Sequence, residues 1–478
     1  MNLSNFAAKN LPNVYAIGLK DNLITIHSQQ TRAICLAELL TDELTAKSCE
    51  LRSICIIGGG IAGLTCALVL LKNGWTDITI LEQMPDLLAV QNGCDTRWVH
   101  PHIIYWPDVG SELHTSNNGV LDWSSGTASN VTYEIEKKWM AEVKKILESS
   151  SSKGRPDRIL SVHVGVTYIH AEIRGSETHI EWIRDSSVRK LGFKGSKSCD
   201  SERRNYSHTI FASGFGIEHS SKYSYWRNED LGQLHIDGLQ QAYMVSGLGD
   251  GAVSDLLRLT TKNLRPDRII SEIKQIKNLE LEFCRIKKAV DLRNETNEKL
   301  TEPQRVTFDL MSELLQSSQK KGAQGTNWRE LLLKFSDLKR EDTKVILFHK
   351  SNDSFSGAFN KSPASFFSKL LIFILYRNGA FQFISDENCE NLIELAKKYK
   401  VPENNVIRRH GVDREAIVQK ILHNPTEVIK FSKQAYIDCK KFVDARNQIR
   451  QPVKNNFSPK VGVPQKTNKY PWSYESCL

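Results

Sequence analysis

Between Ser53 and Glu82 the chain has little freedom. Ser53–Ile57 reads as a buried strand, and Gly58-x-Gly60-x-x-Gly63 follows it at once. Ile61–Asn73 has the spacing of a buried helix closed by Gly74, and Asp77–Leu81 is a second strand ending on Glu82. Each part has a physical task. Gly58 permits a tight turn, Gly60 lets backbone approach a pyrophosphate with no Cβ in the way, and Gly63 lets helix and strand pack closely. The first helical residues, Ile61 and Ala62, bring unpaired N–H groups and the positive end of the helix dipole. Glu82 is placed to take both hydroxyls of an adenosine ribose, and its charge repels a 2′-phosphate. This is the pattern of a β–α–β unit for an adenine dinucleotide, FAD or NAD, with NADP the wrong ligand for this turn.

The same region contains eighteen uncharged residues, 54–71, long enough to suggest a membrane span. Four glycines in its first ten residues favour strand, turn and helix instead, and no membrane association is expected. The net charge of +9 is unevenly placed: residues 440–478 hold eight Lys/Arg against two Asp/Glu, with Pro452, Pro459, Pro464 and Pro471. The reading is a solvated basic tail over 451–478, not a nucleic-acid surface. The ten cysteines form no C-x-x-C, so zinc and dithiol chemistry are not expected, and a reducing, cytoplasmic compartment fits.

Further along, 84–125 is loop-like, 127–149 a long helix, and about 158–185 an antiparallel β-meander followed by a polar surface excursion. His208–Ala212 and Ala242–Ser246 are short buried strands ending in Ser213-Gly214 and in Gly247-Leu248-Gly249-Asp250-Gly251. Beyond 263 the pattern is mainly helical, with one clear strand at Val345–His349 and no internal repeat. The expected organisation is a preface over 1–50, a dinucleotide-binding α/β core over 51–262, a mainly helical region over 263–450, and the tail. The fold class is α/β: a Rossmann-like FAD/NAD(P)-binding core with an inserted meander.

Gly58, Gly60, Gly63, Ala67, Leu70, Gly74 and Glu82 resemble the opening of the glutathione-reductase-like flavoprotein superfamily. His208–Gly214 resembles its A-T-G strand, with Ser213 in place of Thr, and Ala242–Asp250 its late Gly-Asp motif. The resemblance implies FAD, with NAD as the alternative. It also implies cofactor contacts from Ser213, Gly214, Gly249 and Asp250. Ser28–Ala33, Arg97–Pro107 and Gly247–Leu259 look like stretches of a bacterial group of FAD/NAD(P)-binding oxidoreductases, for which no reaction is implied.

The densest chemistry is Arg97-Trp-Val-His100-Pro-His102-Ile-Ile-Tyr105-Trp106-Pro107. Arg97 is expected on a phosphate, His100 and His102 as proton donors or hydrogen-bond partners, and Tyr105 as part of the substrate wall. The bland reading is an aromatic loop packed over the sheet. Tyr223–Arg227 is a second aromatic-basic group, with core packing favoured, and Asp255 with Arg258 reads as a helix-surface ion pair. Arg408–Gly411 is a basic turn. No P-loop or G-x-S-x-G is present, and Gly247-x-Gly249-x-Gly251 lacks the spacing of a second dinucleotide turn. The expected activity is FAD-dependent oxidation or hydroxylation of a small organic molecule. The alternative is a FAD- or NAD-holding sensor or scaffold that engages a protein partner through its helical region. Substrate, electron acceptor and oligomeric state are not legible.

Overall fold

The computed structural model describes residues 1–19, 24–46, 53–151, 159–184, 201–214, 217–218, 224–236, 238–262, 265–296, 306–320, 326–413, 415–422 and 436–450. The expected basic tail, Tyr223 and residues 185–200 of the polar excursion lie outside them.

The first half of the chain supplies β1 (Val14–Ala16), α1 (Ile26–Ala46), β2 (Ile54–Ile57), α2 (Ile61–Lys72), β3 (Asp77–Leu81), β4 (Trp98–Val99), β5 (Gly126–Thr127) and α3 (Ala128–Ser151). After these come β6 (Ile159–His163), β7 (Val166–Arg174), β8 (Glu177–Arg184), β9 (Glu202–Tyr206) and β10 (His208–Phe211). One parallel sheet has the order β1-β10-β2-β3-β6. Both faces are covered, so β2 and β10 are buried at every position and carry the continuous apolar runs a parallel strand needs. Helix α2 is buried almost all round, packed against α1 and α3.

Two expectations shift here. The preface is not peripheral, because β1 is the edge strand beyond β10 and α1 packs along α2. The meander starts later than residue 158: Ile159–His163 joins the parallel sheet, and β7, β8 and β9 form the antiparallel insert.

The second half supplies β11 (Ile217–Glu218), β12 (Gln241–Ser246), α4 (Asp250–Thr260), α5 (Pro266–Gln275), α6 (Leu279–Thr296), α7 (Val306–Lys320) and α8 (Thr326–Asp337). Next are β13 (Thr343–His349), α9 (Phe355–Lys361), α10 (Phe366–Arg377), β14 (Gln382–Ser385) and α11 (Leu392–Lys398). The last elements are β15 (Val406–Arg408), β16 (Val412–Asp413), α12 (Glu415–Leu422) and α13 (Tyr436–Arg450). The region is rich in helix, but it also holds a second parallel sheet, β14-β13-β12-β15. Strand β12 and helix α4, expected in the first core, belong to this second sheet. Their neighbours in space, β13 and β15, come about 100 and 160 residues later, a separation that no local pattern reveals.

With the edge strand β1 left out, the first sheet has the strand order of the second (third, second, first, fourth), the order in which a doubly wound fold leaves a crevice at the strands' carboxyl ends. No helix among the described residues is long and apolar enough to cross a membrane.

Candidate functional site

At the first crevice the chain leaves β2 through Gly58, whose φ of +119° is reached easily only by glycine. A methyl group there would lie 2.4 Å from the Ala212 carbonyl oxygen, and one at Gly63 would lie 1.9 Å from that of Gly58. Both glycines are therefore required by the protein's own packing. Gly60 differs: a methyl group there would meet no atom within 4 Å. Gly60 is the N-cap of α2 and no side chain caps that helix, so the N–H groups of Ile61 and Ala62 face an open cradle.

Glu82 closes the cradle. Its Oε2 accepts from the Gly59 N–H at 2.6 Å and its Oε1 from the Met84 N–H at 2.7 Å. Burial raises the Glu82 carboxyl above its ordinary range, against the pull of those N–H donors. A carboxylate has acceptor positions beyond these two. Across the crevice, β10 ends in Ser213-Gly214, and Ser213 Oγ is buried with no hydrogen-bond partner among the described residues. An open glycine, an uncapped helix, a carboxylate with spare lone pairs and an orphaned hydroxyl fit the pyrophosphate and ribose of a dinucleotide.

Arg97 takes no part in this. It is buried, and its guanidinium pairs with Asp255 Oδ1, donates from Nε to the Tyr225 carbonyl at 3.0 Å, and stands 3.6 Å from Glu229. Burial pulls its pKa down, but Tyr225 and Asp255 outweigh that and leave it above its ordinary value. Asp255 is not a surface partner of Arg258 either. It is fully buried, its second oxygen accepts from Arg409 Nε at 2.8 Å, and Arg258 pairs with Glu229. Burial and the neighbouring Arg97 push Arg258 down to about 10. The Tyr225 ring lies between two guanidiniums, with Arg97 at 4.0 Å and Arg409 at 5.3 Å from its centroid. This cluster ties the loop of the first unit to α4 and β15 of the second.

Between the units is a cavity of about 370 Å³, within the range of small-molecule sites. Its walls include Ile24, Ile26, Trp98, Ile103, Phe367 and Leu371, and its polar groups include His100, Glu218, the first turn of α4 and Arg408–His410. Tyr225 and Trp226 also line it, so they are more than core packing.

His100 Nδ1 accepts from the His102 N–H at 3.2 Å and the Ile103 N–H at 3.1 Å. That puts the proton of the neutral ring on Nε2. Burial, with His114 and His102 nearby, pushes the His100 pKa down to about 4. His100 is therefore a neutral, fixed N–H donor at pH 7, an arrangement that suits the hydrogen-bond partner of the two expected roles. His102 donates from Nε2 to the Thr115 carbonyl at 2.9 Å and packs edge-on to His27 with centroids 4.4 Å apart. Tyr105 closes the 3₁₀ turn Ile103–Tyr105, and neither it nor His102 lines the cavity. Trp106 fills the core of the second unit against Phe283 and Phe367. No group of three or more His, Cys, Asp or Glu among the described residues is placed to hold a metal.

Residues 53–202 match the family model described as FAD dependent oxidoreductase. The cofactor is FAD. That match covers the unit built around the Gly58–Gly63 turn. Among solved structures the chain is similar to an ornithine N-hydroxylase of Kutzneria sp. 744 (12% identity, TM-score 0.20), over 34% of this chain and 36% of that one. It is also similar to DfoA, the cadaverine monooxygenase of Erwinia amylovora (14% identity, TM-score 0.20), over 36% of this chain and 37% of that one. The chain thus spans little more than a third of either. No curated protein matches it. Bound FAD supplies two-electron chemistry, accepting a hydride and passing electrons on. Gly60, Ile61, Ala62, Glu82 and Ser213 are the residues that would hold it.

Glu82→Ala is expected to raise the FAD dissociation constant about 10-fold or more, from the loss of charge-assisted hydrogen bonds. Fluorescence titration of apoprotein with FAD measures this, and unchanged affinity would reduce Glu82 to a brace for Gly59 and Met84.

Sequence reasoning missed the second crevice. It repeats the backbone contacts of the first. Gly247 leaves β12 with φ +126°, and its N–H donates to the Phe348 carbonyl at 3.3 Å, as that of Gly58 does to Leu81 at 2.8 Å. A methyl group at Gly247 would lie 2.2 Å from the Arg409 carbonyl oxygen, as one at Gly58 would from Ala212. The N–H groups of Ala212 and Arg409 each donate at 2.8 Å to the end of the adjacent first strand, Ile57 or Ser246. Gly214 and Gly411 then both take positive φ. Gly249 is the uncapped N-cap of α4, and like Gly60 it would have no atom within 4 Å of an added methyl. The signal was present as Gly247-x-Gly249 after a buried strand. The third glycine is replaced by Ala252, which hid it.

Gly249 and Asp250, expected on the flavin through a late Gly-Asp motif, therefore form the turn of the second unit. The Asp250 carboxylate accepts from the N–H and the hydroxyl of Ser365 at 2.9 and 2.7 Å, facing α10.

Proposed function

We propose that this FAD-dependent oxidoreductase holds a second dinucleotide, a reduced nicotinamide hydride donor, at the Gly247–Ala252 turn. A small organic substrate would react in the cavity between the two units. The observation that carries this is the correspondence of Gly58, Gly60, Ala212 and Gly214 with Gly247, Gly249, Arg409 and Gly411, on sheets of the same strand order.

The chain's own contributions follow from the geometry. The first turn of α4 offers N–H groups to a pyrophosphate, with Gly249 leaving room for it. Arg408, half-buried on the cavity wall, adds positive charge beside that turn. His100 lines the cavity and carries its proton on Nε2, because Nδ1 accepts from two backbone N–H groups. The Arg97–Asp255–Arg409 cluster sets the distance between the loop of the first unit and the turn of the second.

The test is anaerobic mixing of FAD-loaded protein with NADH and with NADPH, following absorbance near the flavin maximum. Bleaching by either supports the proposal. A flavin that stays oxidised with both would favour a nucleotide-holding scaffold over an enzyme fed by nicotinamide. Gly249→Val should abolish the bleaching while leaving bound FAD in place.

A further inference from the structure

The correspondence between the two crevices reaches the residue that reads the adenosine ribose. In the first unit Gly58 is bonded to Leu81, and the next residue is Glu82. In the second, Gly247 is bonded to Phe348, and the next residue is His349. We infer that the second site selects a dinucleotide carrying a 2′-phosphate, of the NADPH type, because His349 stands where the first site has a carboxylate. This rests on the second-dinucleotide reading above.

The chemistry around His349 supports the choice. A carboxylate at that position takes the two ribose hydroxyls and repels a phosphate. The half-buried His349 ring carries no negative charge, and its Nδ1 shares a hydrogen bond of 2.9 Å with Ser351 Oγ. Lys350, the next residue, is exposed at the strand's end and brings a mobile cation. Two acids lie close. Asp353 is neutralised by Lys361 at 2.7 Å, and an Asp386 oxygen accepts from the Asn388 N–H at 2.9 Å. Lys361 offsets Asp353, and His349 brings no carboxylate where the first rim has Glu82. An imidazole, a hydroxyl and a lysine side by side make a set of donors for a phosphate dianion.

The test uses FAD-loaded full-length protein, so that the first crevice is already filled, and two redox-inert probes, 2′,5′-ADP and 5′-ADP, by calorimetry. The 2′-phosphorylated probe is expected to bind about 10-fold or more tightly than 5′-ADP. His349→Glu should reverse the order. Lys350→Ala, an exposed change that leaves the core alone, should weaken 2′,5′-ADP several-fold and leave 5′-ADP unchanged. Circular dichroism and flavin content verify folding of each variant. Equal or tighter binding of 5′-ADP overturns the selection and leaves the second site standing. If neither probe binds, or Gly249→Val binds both as the wild type does, the second-site reading falls and the selection with it.

Discussion

Gly60→Val is expected to give a folded protein that no longer retains FAD. The backbone at Gly60, φ −80° and ψ −171°, suits any residue, and a methyl group would meet nothing within 4 Å. The valine side chain therefore costs the fold little and fills the space a pyrophosphate needs. Purified Gly60→Val protein should be colourless, with circular dichroism like the wild type's and FAD affinity reduced on the order of 100-fold or more, at least two phosphate hydrogen bonds' worth. Gly63→Val should behave oppositely, because its Cβ would strike the Gly58 carbonyl oxygen at 1.9 Å. It should lose the turn itself and express as misfolded protein. A yellow Gly60→Val protein at full stoichiometry would remove the cofactor from this turn.

The second large effect is on stability. Asp255 is fully buried, with Arg97 on one oxygen and Arg409 on the other. Removing one member of such a cluster leaves buried charge without compensation, which typically costs about 3–5 kcal/mol. Asp255→Ala strands two guanidiniums at once, so the upper end applies, and the apparent melting temperature should fall by about 5 °C. Arg258→Ala should cost less, because Glu229 keeps Arg97 at 3.6 Å and the Leu231 N–H at 2.8 Å. A Asp255→Ala melting point close to the wild type's would show that the cluster adds little beyond the packing around it.

A smaller effect concerns acid. His27 and His100 are both held neutral, pushed down to about 3 and about 4 by burial and by neighbouring imidazoles. In the unfolded chain both titrate near pH 6.5. Between about pH 6.5 and 4 the unfolded state binds more protons, so stability rises with pH across that window and is lost as the pH falls through it. Melting temperatures at pH 7, 6, 5 and 4 should fall steadily, and His27→Asn should flatten the slope. A slope unchanged in that variant would move the acid sensitivity elsewhere.

The first crevice was legible in the sequence because its constraints are local. Gly58, Gly60 and Gly63 answer to a turn and a helix within six residues, and Glu82 follows the next strand. The second crevice uses the same backbone, but it places Ala252 where the first has Gly63 and His349 where the first has Glu82, so both marks of the fingerprint were missing. Arg97 could not be placed from the sequence, because its partners Asp255 and Glu229 are more than 130 residues away, and burial decides its role. A buried arginine beside an aspartate is a strut, while the same arginine in an open loop is a phosphate ligand, and local pattern does not separate the two. His100 was singled out in the sequence and lines the cavity. Its tautomer, set by two backbone N–H groups, was beyond reach, and with it the difference between a proton donor and a hydrogen-bond partner.

The position of β1 bears on how the protein is made. Val14 pairs with Thr209 and Ala16 with Phe211, so β1 is synthesised well before the strand it needs as a partner. Until β10 has emerged, Val14–Ala16 has no partner strand. Pairing over such a separation is slow, and an apolar segment waiting through it is open to aggregation or to capture by chaperones. The cofactor rim, which needs β2 and β10 together, is completed only when most of the first unit has been synthesised, and FAD can be taken up only after that.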